Sequence, residues 1–204
     1  MAFTYFFRDM QIIELAVKQF VAFTAGRSQI RIWDAGCAMG QEPYTLAIIL
    51  AENMGRFAFK NIQIDATDID GSNLFGQIIS EGVYPEAELE RMPKDMFTKY
   101  FCKFNGDDSF QIDYNLRNRV TFQKHDLLSL KPIGTGFSLV LCKNVLLHFT
   151  YEQRIQVMKM FYDVLIPGGL IAMEQTQILP DELEGCFERT TNDGQIFRKI
   201  EVQK

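Results

Sequence analysis

The first third of the chain alternates between helical and strand-like patterns of apolar side chains. Residues 10–25 and 42–54 carry apolar side chains at the three- and four-residue spacing of amphipathic helices. Residues 30–35 and 62–67 are short apolar segments, as expected for strands buried in a sheet. A further short helix is predicted over residues 73–80, so helices and strands follow one another from residue 10 onwards.

The same alternation resumes after residue 119. Strands are predicted over residues 120–123, 137–142 and 170–174. A helix is predicted over residues 151–165, because Thr150 and Gln153 are spaced as a capping box at its start. Pro167-Gly168-Gly169 is predicted to end this helix before the next strand begins.

Residues 84–118 interrupt the pattern. They contain Pro85, Pro93, many charges and a group of aromatic side chains. The sequence Asn105-Gly106-Asp107-Asp108 is typical of a turn between two short extended segments. We therefore predict a helix followed by a small antiparallel element, inserted into the main sheet over residues 85–118.

The alternation of strands and helices implies a mostly parallel sheet. Near the end of the chain, Asn192-Asp193-Gly194 separates residues 187–189 from residues 195–200, which predicts a hairpin and one antiparallel strand. This combination fits an α/β fold of the doubly wound, Rossmann-like class, in its seven-stranded methyltransferase variant. A single domain is predicted over residues 1–204, with the insertion inside it.

The most informative segment is residues 31–45, where a strand end, a turn of small residues and a helix start follow one another. This is the junction at which α/β proteins hold nucleotide-like ligands, and Gly36 and Gly40 would let the backbone approach such a ligand. Pro43 suits the first helical turn, where its missing N–H costs nothing. Asp68 ends the next strand and has the chemistry to accept both hydroxyls of a ribose.

This turn does not match the dinucleotide-binding fingerprint. Ala38 takes the place of the middle glycine, and Asp68 follows Gly36 by 32 residues (68 − 36) instead of about 20. From spacing alone, a structural turn without a ligand explains the segment equally well.

Composition narrows the class of protein. The chain has 204 residues, 47% hydrophobic and 23% charged, and a net charge of −5, which is ordinary for one soluble domain. The acidic balance argues against nucleic acid or an anionic membrane as partner, although Arg117, Arg119 and Lys124 leave a local basic face open. No signal peptide or apolar run of about 20 residues is present, so a cytoplasmic location without membrane insertion is expected.

The four cysteines fit the same picture. Cys37, Cys102, Cys142 and Cys186 form no CxxC pair and have no histidine at metal-ligand spacing. Reduced, mostly buried thiols are therefore predicted, and no metal site.

Several segments together resemble one family. They are TYFFRD (4–9), WDAGCAMGQEPYTLA (33–47), ATDID (66–70), GVYP (82–85), YF (100–101), HDLL (125–128), FSLVLCKNVLLHF (137–149) and LIPGGL (165–170). In this combination and order they resemble the chemotaxis receptor methyltransferase (CheR) family. The resemblance implies S-adenosylmethionine as cofactor, S-adenosylhomocysteine as product, and methylation of glutamate side chains on receptors.

The resemblance also implies cofactor roles at matching positions. Thr4 and Arg8 would hold the methionine end, since a guanidinium can bind both oxygens of a carboxylate. Glu42 would bind the ammonium group or a nearby ordered backbone group, and Asp68 would take the ribose hydroxyls. The alternatives are an ion pair of Arg8 with Asp9, a Glu42 stabilised by the helix dipole, and a turn residue at Asp68.

The remaining implied ligands lie later in the chain. Asp126 and Leu127 would border the adenine, and Lys143 and Asn144 would line the floor beside the sulfonium. A polar strand end is the alternative for Lys143 and Asn144. His148 and Arg8 are the candidate catalytic residues, with a structural strand-end histidine as the alternative for His148.

The chain departs from the family pattern at several places. His148 stands where members have Tyr, Lys143 where they have Arg, and Asp126 where they have Asn. The helix over residues 10–25 lacks the family's arginine, with Lys18 as the nearest cation. The family's N-terminal helical domain does not precede the FFRD segment, so either a truncated piece or, given the start at Met1, a single-domain relative is expected.

Three functions are compatible with this sequence. The first is a protein-glutamate O-methyltransferase acting on a chemoreceptor-like signalling protein, whose acceptor is ionised at pH 7 and needs no general base. The second is a methyltransferase of the same fold acting on a small molecule or another side chain, with His148 as base. The third is a non-catalytic module that binds S-adenosylmethionine. The aromatic residues of the insertion fit either peptide docking by strand addition or a local core, and no oligomeric state is predicted.

Overall fold

A computed structural model describes residues 4–106 and 108–201. Its helices are α1 (Met10–Thr24), α2 (Gln41–Phe59), α3 (Phe75–Glu81), α4 (Glu86–Leu89), α5 (Lys94–Tyr100), α6 (Tyr114–Arg117) and α7 (Tyr151–Val164). Its strands are β1 (Ile30–Ala35), β2 (Ile62–Asp68), β3 (Val83–Pro85), β4 (Phe101–Lys103), β5 (Ser109–Ile112), β6 (Val120–Lys124), β7 (Phe137–Cys142), β8 (Leu165–Met173), β9 (Phe187–Arg189) and β10 (Gln195–Lys199).

The main sheet has seven strands in the order β6-β2-β1-β7-β8-β10-β9. The first five are parallel, whereas β10 runs antiparallel to both β8 and β9. From β1 the chain proceeds outward through β2 and β6, then returns to β7 on the other side of β1. The carboxyl ends of β1 and β7 therefore form the switch point at which such sheets bind ligands. The predicted fold class and the final hairpin are confirmed.

Two apolar layers cover the sheet. Ile32 and Trp33 are adjacent in β1, and their side chains enter opposite layers because strand side chains alternate. Ile32 belongs to the layer that contains Phe20 of α1 and Leu46 of α2. Trp33 packs edge-to-face on Phe161 of α7, with ring centroids 5.2 Å apart. The helices predicted from apolar spacing thus hold the sheet from both sides.

Most predicted elements are found within a few residues of their expected bounds. The capping box of Thr150 and Gln153 is present at the start of α7. Helix α2 continues beyond the predicted residue 54 to Phe59, through a kink at Gly55 (φ 73°, ψ 159°). Glycine allows this kink because the left-handed region carries little cost without a Cβ.

The prediction that Pro167-Gly168-Gly169 ends the helix is wrong. Helix α7 already ends at Val164, and β8 begins at Leu165 with the glycines inside the strand. The pairing of β8 with β7 shifts there, because Phe137 pairs with Leu165 but Leu139 pairs with Leu170. A Cβ on Gly169 would lie 2.9 Å from the Ile166 carbonyl oxygen, so the glycine makes this irregularity possible.

A second, antiparallel sheet lies in sequence between β2 and β6, with strand order β3-β5-β4. Phe97 of α5 packs against two of its aromatic side chains, Phe101 of β4 and Phe110 of β5. Phe6, from the segment before α1, packs edge-to-face on Tyr84 and Phe101, with centroid distances of 4.9 and 5.6 Å. These contacts attach the N-terminal segment to the small sheet. Asp107, in the predicted turn, lies outside the described residues.

Candidate active site

A cavity of about 650 Å³ opens at the carboxyl ends of β1, β2 and β7. All but one of the residues proposed as ligands or catalytic groups line it: Thr4, Arg8, Gly36, Glu42, Asp68, Asp126, Leu127, Lys143, Asn144 and His148. They come from five separate parts of the chain, so the fold brings together what the sequence separates. Their individual roles stay predictions.

The exception is Gly40, which does not line the cavity. Gly40 has φ 100°, and a Cβ there would lie 2.5 Å from Tyr84 Oη and 2.8 Å from Ile79 Cγ1. The Tyr84 hydroxyl donates a hydrogen bond to the Met39 carbonyl oxygen (2.9 Å). The glycine therefore makes room for a tyrosine of the small sheet, where the sequence suggested close approach to a ligand.

Gly36 has a similar packing role inside the cavity wall. Its φ is 108°, and a Cβ would lie 2.1 Å from Val145 Cγ2. Val145 follows β7 and itself lines the cavity. A side chain at position 36 would push the segment after β7 away from β1 and change the shape of the cavity.

Asp68 is fixed by the turn that follows β1. One carboxylate oxygen, Oδ2, accepts a hydrogen bond from the Ala38 backbone N–H (3.0 Å), and Oδ1 accepts one from the Asp70 backbone N–H (3.1 Å). Ala38 reaches this position with φ 49°. Each carboxylate oxygen has further lone pairs, so a carboxylate held this way can still accept from two neighbouring hydroxyl groups.

Lys143 lies at the end of β7, and its side chain is completely buried. Its Nζ donates to Glu42 Oε2 (3.1 Å) and to the Arg8 carbonyl oxygen (3.1 Å). One buried ammonium thus joins the N-terminal segment, the first turn of α2 and the switch point of the sheet. The replacement of the family's arginine by lysine keeps the charge but not the forked geometry.

Asp34 is a buried acid that the sequence reasoning left without a role. It lies in β1, it is fully inaccessible, and its carboxyl group is hydrogen-bonded to that of Glu42 when one of the two carries a proton. Burial raises its pKa well above the usual value, the nearby Glu42 carboxylate adds to this, and Lys143 opposes it. The shift favours the protonated carboxyl of Asp34 over the carboxylate. A lone acid within the apolar strand IRIWDA was the signal for it.

Glu42 completes a carboxyl pair with Asp34. Its Oε2 accepts from Lys143, and the carboxyl also shares a hydrogen bond with Asp34 when one of the two acids is protonated. Glu42 lines the cavity, whereas Asp34 is not among its lining residues. Glu42 is therefore the acid of the pair that is placed to meet a cationic group.

Glu174 follows β8 and is a second missed acid. Its Oε2 accepts from the Asn144 backbone N–H (3.0 Å), while burial raises its pKa. Asn144 has φ 58°, and its side-chain amide donates to Asp9 Oδ2 (3.1 Å). Arg8 Nε lies 3.4 Å from the same Asp9 oxygen, in a partly exposed pair. The ion pair that the sequence left open is thus present beside the cavity.

His148 and Asp126 lie at the rim. His148 ends a short 3-10 turn (Leu146–His148), it is exposed, and its imidazole makes no hydrogen bond to the residues that the structure describes. Asp126 accepts from the Leu128 backbone N–H (2.9 Å) and so caps the next short turn.

The lining residues that sequence reasoning missed are Ala38, Thr67, Ile69, His125, Leu128, Val145, Leu147 and Phe149. Most of these residues are apolar and follow strand ends, so no sequence motif distinguishes them from residues of the apolar core.

The described residues contain neither a metal-binding cluster nor a helix able to span a membrane. Within residues 4–106 and 108–201, no group of three or more His, Cys, Asp or Glu side chains is arranged to hold a metal ion. Over the same residues, no helix combines the length and the apolar character needed to cross a bilayer.

Two curated proteins and one solved structure are among those that this chain is similar to. The chemotaxis protein methyltransferase of Borreliella burgdorferi is 36% identical over 171 residues, which cover 79% of this chain and 59% of that protein. The chemotaxis protein methyltransferase of Listeria innocua is 32% identical over 168 residues, which cover 81% of this chain and 61% of that protein. The chain therefore spans about three fifths of the length of these relatives. The solved glycopeptide N-methyltransferase MtfA aligns with a TM-score of 0.49 and 12% identity, over 81% of this chain and 54% of its own.

A family model gives the widest coverage. The model described as "CheR methyltransferase, SAM binding domain" matches residues 2–194. The matched range runs from the segment before α1, which carries Thr4 and Arg8, to Gly194 just before β10. It includes every segment that lines the cavity. The chain belongs to the family of CheR methyltransferase S-adenosylmethionine-binding domains.

Proposed function

We propose that this chain is the S-adenosylmethionine-dependent catalytic domain of a protein-glutamate O-methyltransferase that acts on a chemoreceptor-like signalling protein in the cytoplasm. One observation carries the proposal: the family's cofactor positions converge on one cavity at the carboxyl ends of the parallel strands. The names of the relatives supply the chemotactic context.

The residues of the cavity fit the proposed cofactor. Asp68 would take the ribose hydroxyls, because both its oxygens are held in place and can accept more. Glu42, the buried acid that lines the cavity, would receive the methionine ammonium. Arg8 would receive the methionine carboxylate. Asp126 and Leu127 would border the adenine, and Lys143 and Asn144 would form the floor.

Bound S-adenosylmethionine would supply an electrophilic methyl group on a good leaving group. The remaining work of the chain is to align the acceptor and to exclude water. A glutamate side chain, with an unperturbed pKa of about 4.3, is ionised at neutral pH and needs no proton removed. The exposed His148, Leu147 and the adjacent Phe149 surround the mouth of the cavity, where an acceptor would enter.

A second acceptor class is kept open by one observation. The His148 imidazole has no hydrogen-bond partner among the described residues and lines the cavity. It would be available to remove a proton from an amine or hydroxyl acceptor on a small molecule or another protein side chain. This alternative predicts that His148→Ala abolishes methyl transfer, whereas a carboxylate acceptor predicts that it is largely retained.

The test is transfer of labelled methyl from S-adenosylmethionine to membrane and soluble fractions of the host, followed by mild alkali. Label on a membrane protein that is released as methanol supports methyl esters of glutamate. Alkali-stable label would overturn the glutamate assignment and favour the second acceptor class. Tight cofactor binding without transfer to any fraction would instead indicate a non-catalytic module. Asp68→Ala is the inactive control, and Lys131→Ala, at an exposed position outside the cavity, is the matched active one.

A further inference from the structure

A second cavity of about 710 Å³ lies away from the proposed active site. Four cations line it: Arg56, Lys60, Lys99 and Arg119. The whole chain has only 21 lysines and arginines against 26 acids, so this concentration of positive charge departs from the acidic balance of the protein. The basic face that the sequence left open at Arg119 is thus part of a concave site.

The acids near this cavity do not cancel its charge. Asp113 is the one lining acid, and its Oδ1 already accepts from the Asn115 backbone N–H (2.8 Å) and side-chain amide (3.0 Å). Glu52 pairs with Lys99 at 2.5 Å. Arg56 makes no hydrogen bond or ion pair with the residues that the structure describes. Arg56, Lys60 and Arg119 are therefore available to an added anion.

The arrangement of the cations follows from the kink at Gly55. In a straight helix Arg56, Phe59 and Lys60 would continue the line of α2, but the left-handed conformation at Gly55 redirects them. No atom lies within 4 Å of the position that a Cβ would take at Gly55, so packing does not demand glycine and the backbone conformation does. Arg119 Nη1 donates to the Lys60 carbonyl oxygen (2.9 Å) and holds the redirected end against the start of β6.

The floor of the cavity is apolar. Phe59, Tyr100 and Leu116 are buried side chains from three helices that meet there. Ligand sites commonly combine an apolar floor with a few well-placed charges, at volumes of about 300–1,000 Å³. This cavity has a volume comparable with that of the proposed cofactor site, about 650 Å³, so it has room for a molecule of nucleotide size.

The two cavities lie at opposite ends of the parallel strands: the second at the amino ends and the proposed active site at the carboxyl ends. Lys60 and Arg119 precede β2 and β6, whereas Asp68 is the last residue of β2 and His125 follows β6. Because β2 has seven residues, at about 3.3 Å per residue, its two ends lie roughly 20 Å apart. The second cavity is therefore not an extension of the first.

We infer that this cavity binds a phosphorylated small molecule of nucleotide size, with its phosphate among Arg56, Lys60 and Arg119 and its ring on the apolar floor. Guanidinium groups suit phosphate because they donate paired hydrogen bonds to its oxygens. The site is separate from the methyl-transfer chemistry and does not depend on the proposed function.

The test measures binding of guanosine monophosphate, guanosine and inorganic phosphate to the full chain by calorimetry at physiological salt. We expect guanosine monophosphate to bind at least tenfold more tightly than either of the other two, because only it uses both the cations and the floor. Equal binding of guanosine and its monophosphate would overturn the inference, as would equal binding of phosphate alone or no binding of any probe.

Variants locate the site. Arg56→Ala combined with Lys60→Ala, both at exposed positions, is expected to weaken guanosine monophosphate at least tenfold. The matched control, Lys103→Ala with Lys131→Ala, removes the same charge from exposed positions outside the cavity and should change affinity less than twofold. Asp68→Ala should also leave the affinity for guanosine monophosphate unchanged. An equal loss in the control pair, or a loss confined to Asp68→Ala, would refute the assignment.

Discussion

The Nζ atom of Lys143 lies 3.1 Å from Glu42 Oε2, and the lysine side chain is completely buried. Because the Glu42 carboxyl also neighbours the buried Asp34, a single cation balances two acids in the interior. Such an arrangement is tolerable only if one acid keeps its proton or a second cation arrives. The electrostatics of the pocket are thus incomplete without a proton or a positively charged ligand.

Lys143→Met is expected to destabilise the protein by about 3–5 kcal/mol, because it leaves the Glu42 carboxylate buried without its partner. The measurement is the free energy of unfolding in denaturant. Lys143→Arg preserves the charge and should lose much less. Equal stability of Lys143→Met and the parent protein would show that the pair is not held as described.

Asp34→Asn should flatten the dependence of stability on pH. Because burial raises the pKa of Asp34 in the folded state, the folded protein binds more protons than the unfolded chain. The free energy of unfolding therefore falls as pH rises above the unfolded pKa of about 3.9, by up to about 1.4 kcal/mol per pH unit, until the folded pKa is passed.

The check on Asp34 is a series of thermal unfolding measurements between pH 5 and pH 9 for both proteins. The parent should lose stability towards pH 9 more steeply than Asp34→Asn. Parallel curves would mean that Asp34 is already ionised in the folded state.

Asp68→Ala is expected to weaken S-adenosylhomocysteine binding by about 10- to 100-fold, since charged hydrogen bonds contribute about 1.5–3 kcal/mol. The same change releases the Ala38 and Asp70 backbone N–H groups that Asp68 holds. Asp68→Asn keeps one acceptor oxygen and should show an intermediate affinity by calorimetry. A change of less than twofold in Asp68→Ala would remove Asp68 from the cofactor site.

Gly40→Ala should cost about 2–4 kcal/mol, from overpacking together with a left-handed backbone at an L-residue. The new Cβ would lie 2.5 Å from Tyr84 Oη. Combining it with Tyr84→Phe removes that oxygen and should restore part of the loss. A double-mutant cycle of unfolding free energies tests this, and strictly additive losses would contradict the contact.

The sequence predicted the elements whose signals are local. Buried strand β7 and the capping box of α7 depend on adjacent residues, and both are found as expected. Pro167-Gly168-Gly169 misled the prediction because glycines that end helices also permit strand irregularities. Only the partner strand β7 distinguishes the two cases, and it lies on the far side of α7 in the sequence.

The candidate site was predicted only in part, because only some of its residues carry a signal in the local sequence. Motif residues such as Asp68 and Lys143 were found by resemblance, and they line one cavity. Asp34 and Glu174 were missed because their importance comes from burial beside other acids, which spacing does not reveal. The packing of Gly40 against Tyr84 was not predicted, since Tyr84 is 44 residues away in sequence (84 − 40).

The hydrogen bond from Lys143 to the Arg8 carbonyl spans 135 residues of sequence. During synthesis on the ribosome, residues 4–8 therefore cannot form this contact until Lys143, which follows β7, has been made. The small sheet, which Phe6 contacts, is completed earlier and can hold that segment meanwhile. Nascent chains that stop before residue 143 lack the floor of the cavity, so competence to bind the cofactor should arise late in translation.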